Sequence, residues 1–254
     1  MKAILLAAGA GTRCYPFTYL TPKLFHGYID KRKQYVDRIL RLFHKLGYKV
    51  EYTNPDFAIR VIQANGWGTG GDLRCVLDQI VDTGSLGDDF LVCYTDYIIN
   101  RAMPDGTISL QMNLSDIIEY HYRCKKALGT VMTMAFVVVE REAATRFGVG
   151  KFEELNGVKV VREFMEKPDI KEITEEPAIN AGICVFNSQF ILSNLDKFLP
   201  GKPDTGLERN LIERLAREEK SMVAACLLNL DAWFDVGTLE QLVQANILIA
   251  SEKG

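Results

Sequence analysis

A chain of 254 residues, 48% apolar and 25% charged, can bury a substantial core as one large domain or as a domain with a modest appendage. Its formal net charge of −3 excludes a surface that attracts polyanions as a whole, so no nucleic-acid partner is expected and any basic site must be local. No apolar run is long enough for a bilayer, Met1-Lys2 leads straight into a strand rather than a signal peptide, and six cysteines without a CxxC pair or zinc spacing read as reduced thiols. A cytoplasmic protein with no membrane partner is therefore expected.

In chain order, Ile4-Leu5-Leu6-Ala7-Ala8 reads as a buried strand that breaks into Gly9-Ala10-Gly11-Thr12-Arg13. Val36, Ile39, Leu40, Phe43 and Leu46 recur at helical spacing and Gly47 is the stop. Short strands at 48–52 and 57–63 flank Asn54-Pro55-Asp56; then comes Gly66-Trp67-Gly68-Thr69-Gly70-Gly71 and a helix through Leu73, Val76, Leu77, Ile80 and Val81. Phe90-Leu91-Val92-Cys93-Tyr94 is apolar on both faces and suits a central parallel strand. Residues 129–139 read as a long strand, and 147–153 with 158–164 as two strands joined at Asn156-Gly157, a strong hairpin signal. Residues 179–186 form a further strand, Leu207, Leu211, Ile212 and Leu215 a helix, 222–228 a strand and 239–249 a closing helix. The order implies an α/β protein, Rossmann-like, with a mainly parallel (mixed) sheet flanked by helices.

The first strand ends in two glycines followed by Arg13 and, ten residues later, Lys23 after Pro22. Glycines let backbone N–H groups approach phosphate oxygens, and the two cations offset their charge. A loop leaving the carboxyl end of a strand in an open α/β sheet is where ligands bind. A dinucleotide fingerprint needs a third glycine where Cys14 stands, and the Gly-Lys-Ser/Thr of a P-loop is absent. GAGTR followed by Pro22-Lys23 instead resembles the signature of the sugar-1-phosphate nucleotidyltransferases. That resemblance implies a fold of the nucleotide-diphospho-sugar transferase type and a single domain over 1–254, with a nucleotide-binding half at about 1–128 and a sugar-binding half at about 129–254. It also implies that Leu6, Ala7, Ala8, Gly9, Gly11, Thr12 and Arg13 line the nucleotide. Gly68-Thr69-Gly70-Gly71 resembles the family's second glycine run, which adds Gly68 and Thr69, with Gln63 as a contact to the base. Asp72 stands where the family commonly has a small residue. The stretch between Lys23 and Gly66 is shorter than in typical relatives, and Leu24-Phe25-His26-Gly27-Tyr28 replaces a proline-rich segment.

Asp96 lies just past the strand that ends at Tyr94, facing the same crevice as the glycine loop, with Thr95 where the family shows glycine. Its bland reading is a strand-end turn cap. Trp233-Phe234-Asp235-Val236-Gly237-Thr238 resembles the family's aromatic-x-Asp-x-Gly-Thr motif, although Thr238 also suits a helix N-cap. The resemblance makes Asp96 and Asp235 the two ligands of Mg2+, an ion that takes one or two carboxylates plus phosphate oxygens. Between them, Phe147-Gly148-Val149, Glu166-Lys167-Pro168 and Asn180-Ala181-Gly182 resemble, in order, the family's sugar-side segments. Gly148, Glu166, Asn180 and Gly182 are thereby implied to meet the sugar and Lys167 its phosphate.

The implied reaction is attack of a sugar 1-phosphate oxygen on the α-phosphorus of an NTP, giving a nucleotide sugar and pyrophosphate. The attacking oxygen is already anionic, so no general base is needed, and His26, His44 and His121 read as surface or packing residues. Arg13 would neutralise the departing pyrophosphate, Lys23 and Lys167 would align the two phosphates, and catalysis would rest on positioning and charge. Glucose 1-phosphate with a pyrimidine triphosphate leads the expectations, then mannose 1-phosphate with GTP. A catalytically silent nucleotide-sugar sensor, or a transferase for another phosphorylated alcohol such as phosphocholine, are the alternatives. The oligomeric state, including a homo-oligomer, stays open.

Overall fold

A computed structural model describes residues 2–6, 51–53, 58–60, 62, 64–81, 86–94, 97–102, 108–109, 114–218, 222–228, 232–235 and single positions from 238 to 247. The helix expected at 36–46 lies outside them. Strand β1 (Lys2–Leu6) and strand β4 (Asp89–Tyr94) run parallel, from Lys2 opposite Phe90 to Leu6 opposite Tyr94. Strands β2 (Glu51–Thr53) and β3 (Ala58–Arg60) pair with each other as a separate ribbon. Strands β5 (Tyr97–Ala102), β6 (Ile108–Ser109) and β12 (Ala232–Asp235) make a small second sheet.

The main sheet adds β7 (Met132–Val138), β8 (Gly148–Leu155), β9 (Val158–Glu166), β10 (Ala178–Asn187) and β11 (Val223–Leu227), in the order β1-β4-β10-β7-β11-β9-β8. The pairings run β1, β4, β7, β8 and β11 in one direction, with β9 and β10 reversed. The sheet is thus mixed, as the sequence implies, but not mainly parallel: only β1–β4 and β7–β11 pair parallel, and the other pairings are antiparallel because β9 and β10 run against their neighbours.

Alternation along the strands separates two cores. Phe90 and Val92 of β4, Met132, Met134 and Phe136 of β7, and Cys184 and Phe186 of β10 join helix α1 (Thr69–Val81) on one face. Leu91, Ala135, Val137, Ile183 and Val185 join helix α2 (Leu114–Leu128) on the other. Each large apolar side chain so removed from water contributes about 1.5–3 kcal/mol, which explains why β4 and β10 are apolar on both faces.

Helix α2 is not among the sequence expectations, because its inward stripe is Ile117, His121 and Cys124, all buried, and only the first is a conventional core residue. His121 Nδ1 lies 2.8 Å from Thr133 Oγ1 and its Nε2 3.4 Å from Asp89 Oδ1. Asp89 also accepts from Lys125 (2.7 and 2.8 Å) and Asn187 (3.2 Å). Burial pushes the His121 imidazole below its ordinary range; Asp89, which burial alone would raise, is held below its own by those donors. The cluster ties α2 to β4, β7 and β10 at the start of β4, away from Tyr94, so His121 is a packing residue. The expected strand at 129–139 begins only at Met132, because Gly129, at φ +68°, closes α2 and donates to Lys125 O.

Asn156 and Gly157 both have positive φ (49° and 73°) and join β8 to β9, the turn that the Asn-Gly pair predicts. The helix expected through Leu207 and Leu215 is present. Its first turn, Glu208–Ile212, is wound wide, and it continues as Glu213–Glu218 with Leu207, Leu211, Ile212 and Leu215 fully buried. Among the described residues no helix is long and apolar enough to cross a membrane. Cys75, Cys93, Cys124, Cys184 and Cys226 carry thiols rather than disulfides. Burial pushes Cys93 up to about 12 and Cys226 up to about 11, so neither is a poised nucleophile.

Candidate active site

The site is laid out by the way β10 changes partner. Ala178 and Ile179 pair with Gly150 and Val149 of β8, whereas Ile183 to Asn187 pair with β4. β8 therefore takes over the edge of β10 just beyond the end of β4. The switch is a bulge between Asn180 and Cys184, where Gly182 has φ +77° and its N–H donates to Asn180 Oδ1 (2.9 Å). A residue with a side chain would be strained at that φ. The sequence-predicted Gly148, Asn180 and Gly182 are thus assembled past the end of β4, the strand that leads towards Asp96.

Glu166 closes β9 opposite Gly148. Its carboxylate lies over that glycine so closely that a Cβ on Gly148 would come within 3.0 Å of Oε2 and 2.2 Å of the Phe164 ring. Lys167 follows with φ +53°; its N–H donates to Phe147 O (3.1 Å) and its Nζ stands 3.7 Å from Glu166 Oε1. Both residues line a cleft of about 350 Å³ with Arg162, Met165, Glu213 and Arg217.

Burial, reinforced by Glu208 and Glu213 and opposed by Lys167 and Arg209, pushes the Glu166 carboxyl up to about 7. An unfolded chain releases this proton near the ordinary value of 4.5, so the folded protein holds the extra proton between the two. Stability contributed by this group falls as pH rises through that window and is constant above it. Glu166→Gln is expected to gain on the parent protein by on the order of 2–3 kcal/mol between about pH 4.5 and 7, read as the difference in Tm across a pH series. A difference that does not change with pH would contradict the raised carboxyl.

Asp235, the last residue of β12, is 3% exposed and pairs in register with Tyr97, the residue after Asp96 in the chain. Its Oδ2 is 3.6 Å from Arg146 Nη2, and Trp233 of the same strand packs edge-on against Phe147 at 5.0 Å. The dipeptide Arg146-Phe147 therefore touches Asp235 through one residue and Lys167 through the other. Thr238 Oγ1 accepts from Gln241 N (3.3 Å), so the cap expected of it is made.

On the nucleotide side, Leu6 ends β1 opposite Tyr94. Ala7, Ala8, Gly9, Gly11, Thr12, Arg13, Lys23, Gln63 and Asp96 lie outside the described residues. Gly68, at φ +88°, leads into α1, whose first amides are engaged by protein: Gly70 N and Gly71 N both donate to Thr205 O (2.9 and 3.0 Å). Asp72 departs from the family pattern for a visible reason, since its Oδ1 accepts from Gly66 N (2.8 Å) and Trp67 N (3.1 Å) and shapes the loop. Thr69 Oγ1 accepts from Leu207 N (2.9 Å) and donates to Glu208 Oε2 (3.1 Å). Tyr94 OH donates to Glu208 Oε1.

Glu208 thus ties the start of α1 to the end of β4, while its charge disfavours ionisation of the nearby Glu166. Glu208 is the chief residue that the sequence passes over, because the apolar spacing of Leu207, Leu211, Ile212 and Leu215 marks only a helix there. Tyr94 also escapes the sequence reading, because a tyrosine ending an apolar strand looks like core.

The fold and these positions define an α/β domain of the nucleotide-diphospho-sugar transferase type. The crystal structure of a UDP-glucose pyrophosphorylase complexed with UDP-glucose superposes with a TM-score of 0.68 at 17% identity, covering 99% of this chain and 98% of that one. The family model for nucleotidyl transferase matches residues 97–252, and the chain belongs to that family. It is 26% identical over 93% of its length to the catalytic subunit beta of mannose-1-phosphate guanylyltransferase from Dictyostelium discoideum. It is 26% identical over 96% of its length to the UTP-glucose-1-phosphate uridylyltransferase of Synechocystis. The chain spans 61% and 62% of those two relatives.

Proposed function

We propose that the protein is a Mg2+-dependent nucleotidyltransferase that joins an NTP to a hexose 1-phosphate, releasing pyrophosphate. The observation that carries this reading is that Asp235 meets Arg146 and Lys167 meets Phe147, next to Gly148 paired with Glu166, with Asp235 opposite the residue that follows Asp96. Family membership supports the reaction type, and the relatives' names support phosphorylated hexoses as the class of acceptor.

The donor set fits the metal. Asp235 offers a buried hard-oxygen ligand, and Asp96 is one residue from its strand partner in sequence. An ion that completes its shell with phosphate oxygens and water suits such a site. When bound, Mg2+ would neutralise charge on the triphosphate.

The chain's own residues do the rest of the work. Glu166 hydrogen-bonds sugar hydroxyls, Lys167 meets the sugar's phosphate, and the Asn180–Gly182 bulge presents backbone to the ring. Arg13 and Lys23 carry the triphosphate. The two halves, about 1–128 and 129–254, would share the main sheet at the β4–β10 pairing, where Tyr94 bonds Glu208.

The test is pyrophosphate release with Mg2+ over the four NTPs, a panel of hexose 1-phosphates and phosphocholine. Turnover with at least one hexose 1-phosphate and none with phosphocholine is expected. Nucleotide-sugar binding without turnover across the panel would replace the enzyme by a sensor.

A further inference from the structure

The guanidinium of Arg146 lies outside every motif of the sequence reading, yet three features hold it beside Asp235. It stands 3.6 Å from the carboxylate and stacks over Phe147 at 5.1 Å, whose ring is wedged by Trp233 of the same strand as Asp235. With the Gln241 amide turned to satisfy its neighbours, its oxygen accepts from Arg146 Nη2 at 2.8 Å and its nitrogen donates to Thr238 Oγ1 at 3.0 Å. A planar guanidinium clamped between a ring, an amide and a carboxylate keeps one orientation, which a lysine would not.

We propose that Arg146 is a positioning residue that makes Asp235 favour a divalent cation arriving with a polyphosphate over the free cation. The proposal rests on the reading of Asp235 as a metal ligand. A free cation must share the carboxylate with the guanidinium, and the two positive charges repel. A metal–triphosphate complex brings its own anionic oxygens to the fixed guanidinium, so the repulsion is offset by attraction. The residue thereby couples metal entry to nucleotide entry.

The experiment is titration with Mn2+ followed by its electron paramagnetic resonance, with and without a non-hydrolysable NTP analogue, on the parent protein, Arg146→Gln, Arg146→Lys and Asp235→Asn. Arg146→Gln is expected to bind free Mn2+ roughly three- to fivefold more tightly, the range of a half-exposed ion pair, and Mn2+ with the analogue more weakly. Arg146→Lys restores part of the preference. If Asp235→Asn abolishes Mn2+ binding while Arg146→Gln leaves the ratio of the two affinities unchanged, the role of Arg146 is overturned and the metal site stands. If Asp235→Asn binds Mn2+ as the parent does, the metal reading falls and the proposal with it.

Discussion

Asp235→Asn is expected to lower turnover by about a hundredfold or more, the scale on which a charge aimed at a phosphoryl transition state acts. The change is nearly isosteric, so what it removes is charge: the carboxylate's attraction for a cation and its pairing with Arg146. The fold should survive, because β12 is held through its ladder to β5 and through Trp233 against Phe147, neither of which uses the carboxylate. Steady-state pyrophosphate release, with circular dichroism as the control, checks it. Near-normal turnover in a folded variant would remove Asp235 from the catalytic machinery.

Lys167→Ala is expected to cost a comparable factor, distributed differently. A non-glycine residue at φ +53° is uncommon, and the position before a proline is further restricted. Such a conformation persists where the surroundings enforce it; here the N–H of Lys167 is tied to Phe147 O and Glu166 is tied by its own N–H to Glu213 Oε1 (3.0 Å). The Nζ itself is largely exposed, so its loss should leave thermal stability nearly unchanged. The effect should fall on kcat/KM for the sugar phosphate, by about a hundredfold, with little change in KM for the NTP. Initial rates with each substrate varied in turn measure this, and equal losses for both substrates would assign Lys167 to the wrong phosphate.

Recognition of the elements divides by range of interaction. The Asn156-Gly157 hairpin, the central strand at Tyr94 and the helix through Leu207 and Leu215 were legible because their signals are local: turn chemistry and apolar periodicity. Helix α2 was not, since its buried stripe uses His121, held by Thr133 and Asp89, and Cys124, packed with Val158, Val160 and Ala224, all from other strands. The glycine before a strand likewise misled the start of β7, because only the helix before it shows Gly129 to be a stop.

For the candidate site, Gly148, Glu166, Lys167, Asn180, Gly182 and Asp235 were named through short motifs that resemble the family's, with residue types that suit hydroxyls, phosphate and a metal. Residue type carries no distance. That Asp235 lies opposite Tyr97, that β8 takes over the edge of β10 where β4 ends, and that Glu208 meets Thr69 and Tyr94 across more than a hundred residues of chain were decided by strand order and register. Long-range contacts of this kind are set by how two cores share one sheet, so the chain by itself determined which groups are available, and only the tertiary structure decided which of them meet.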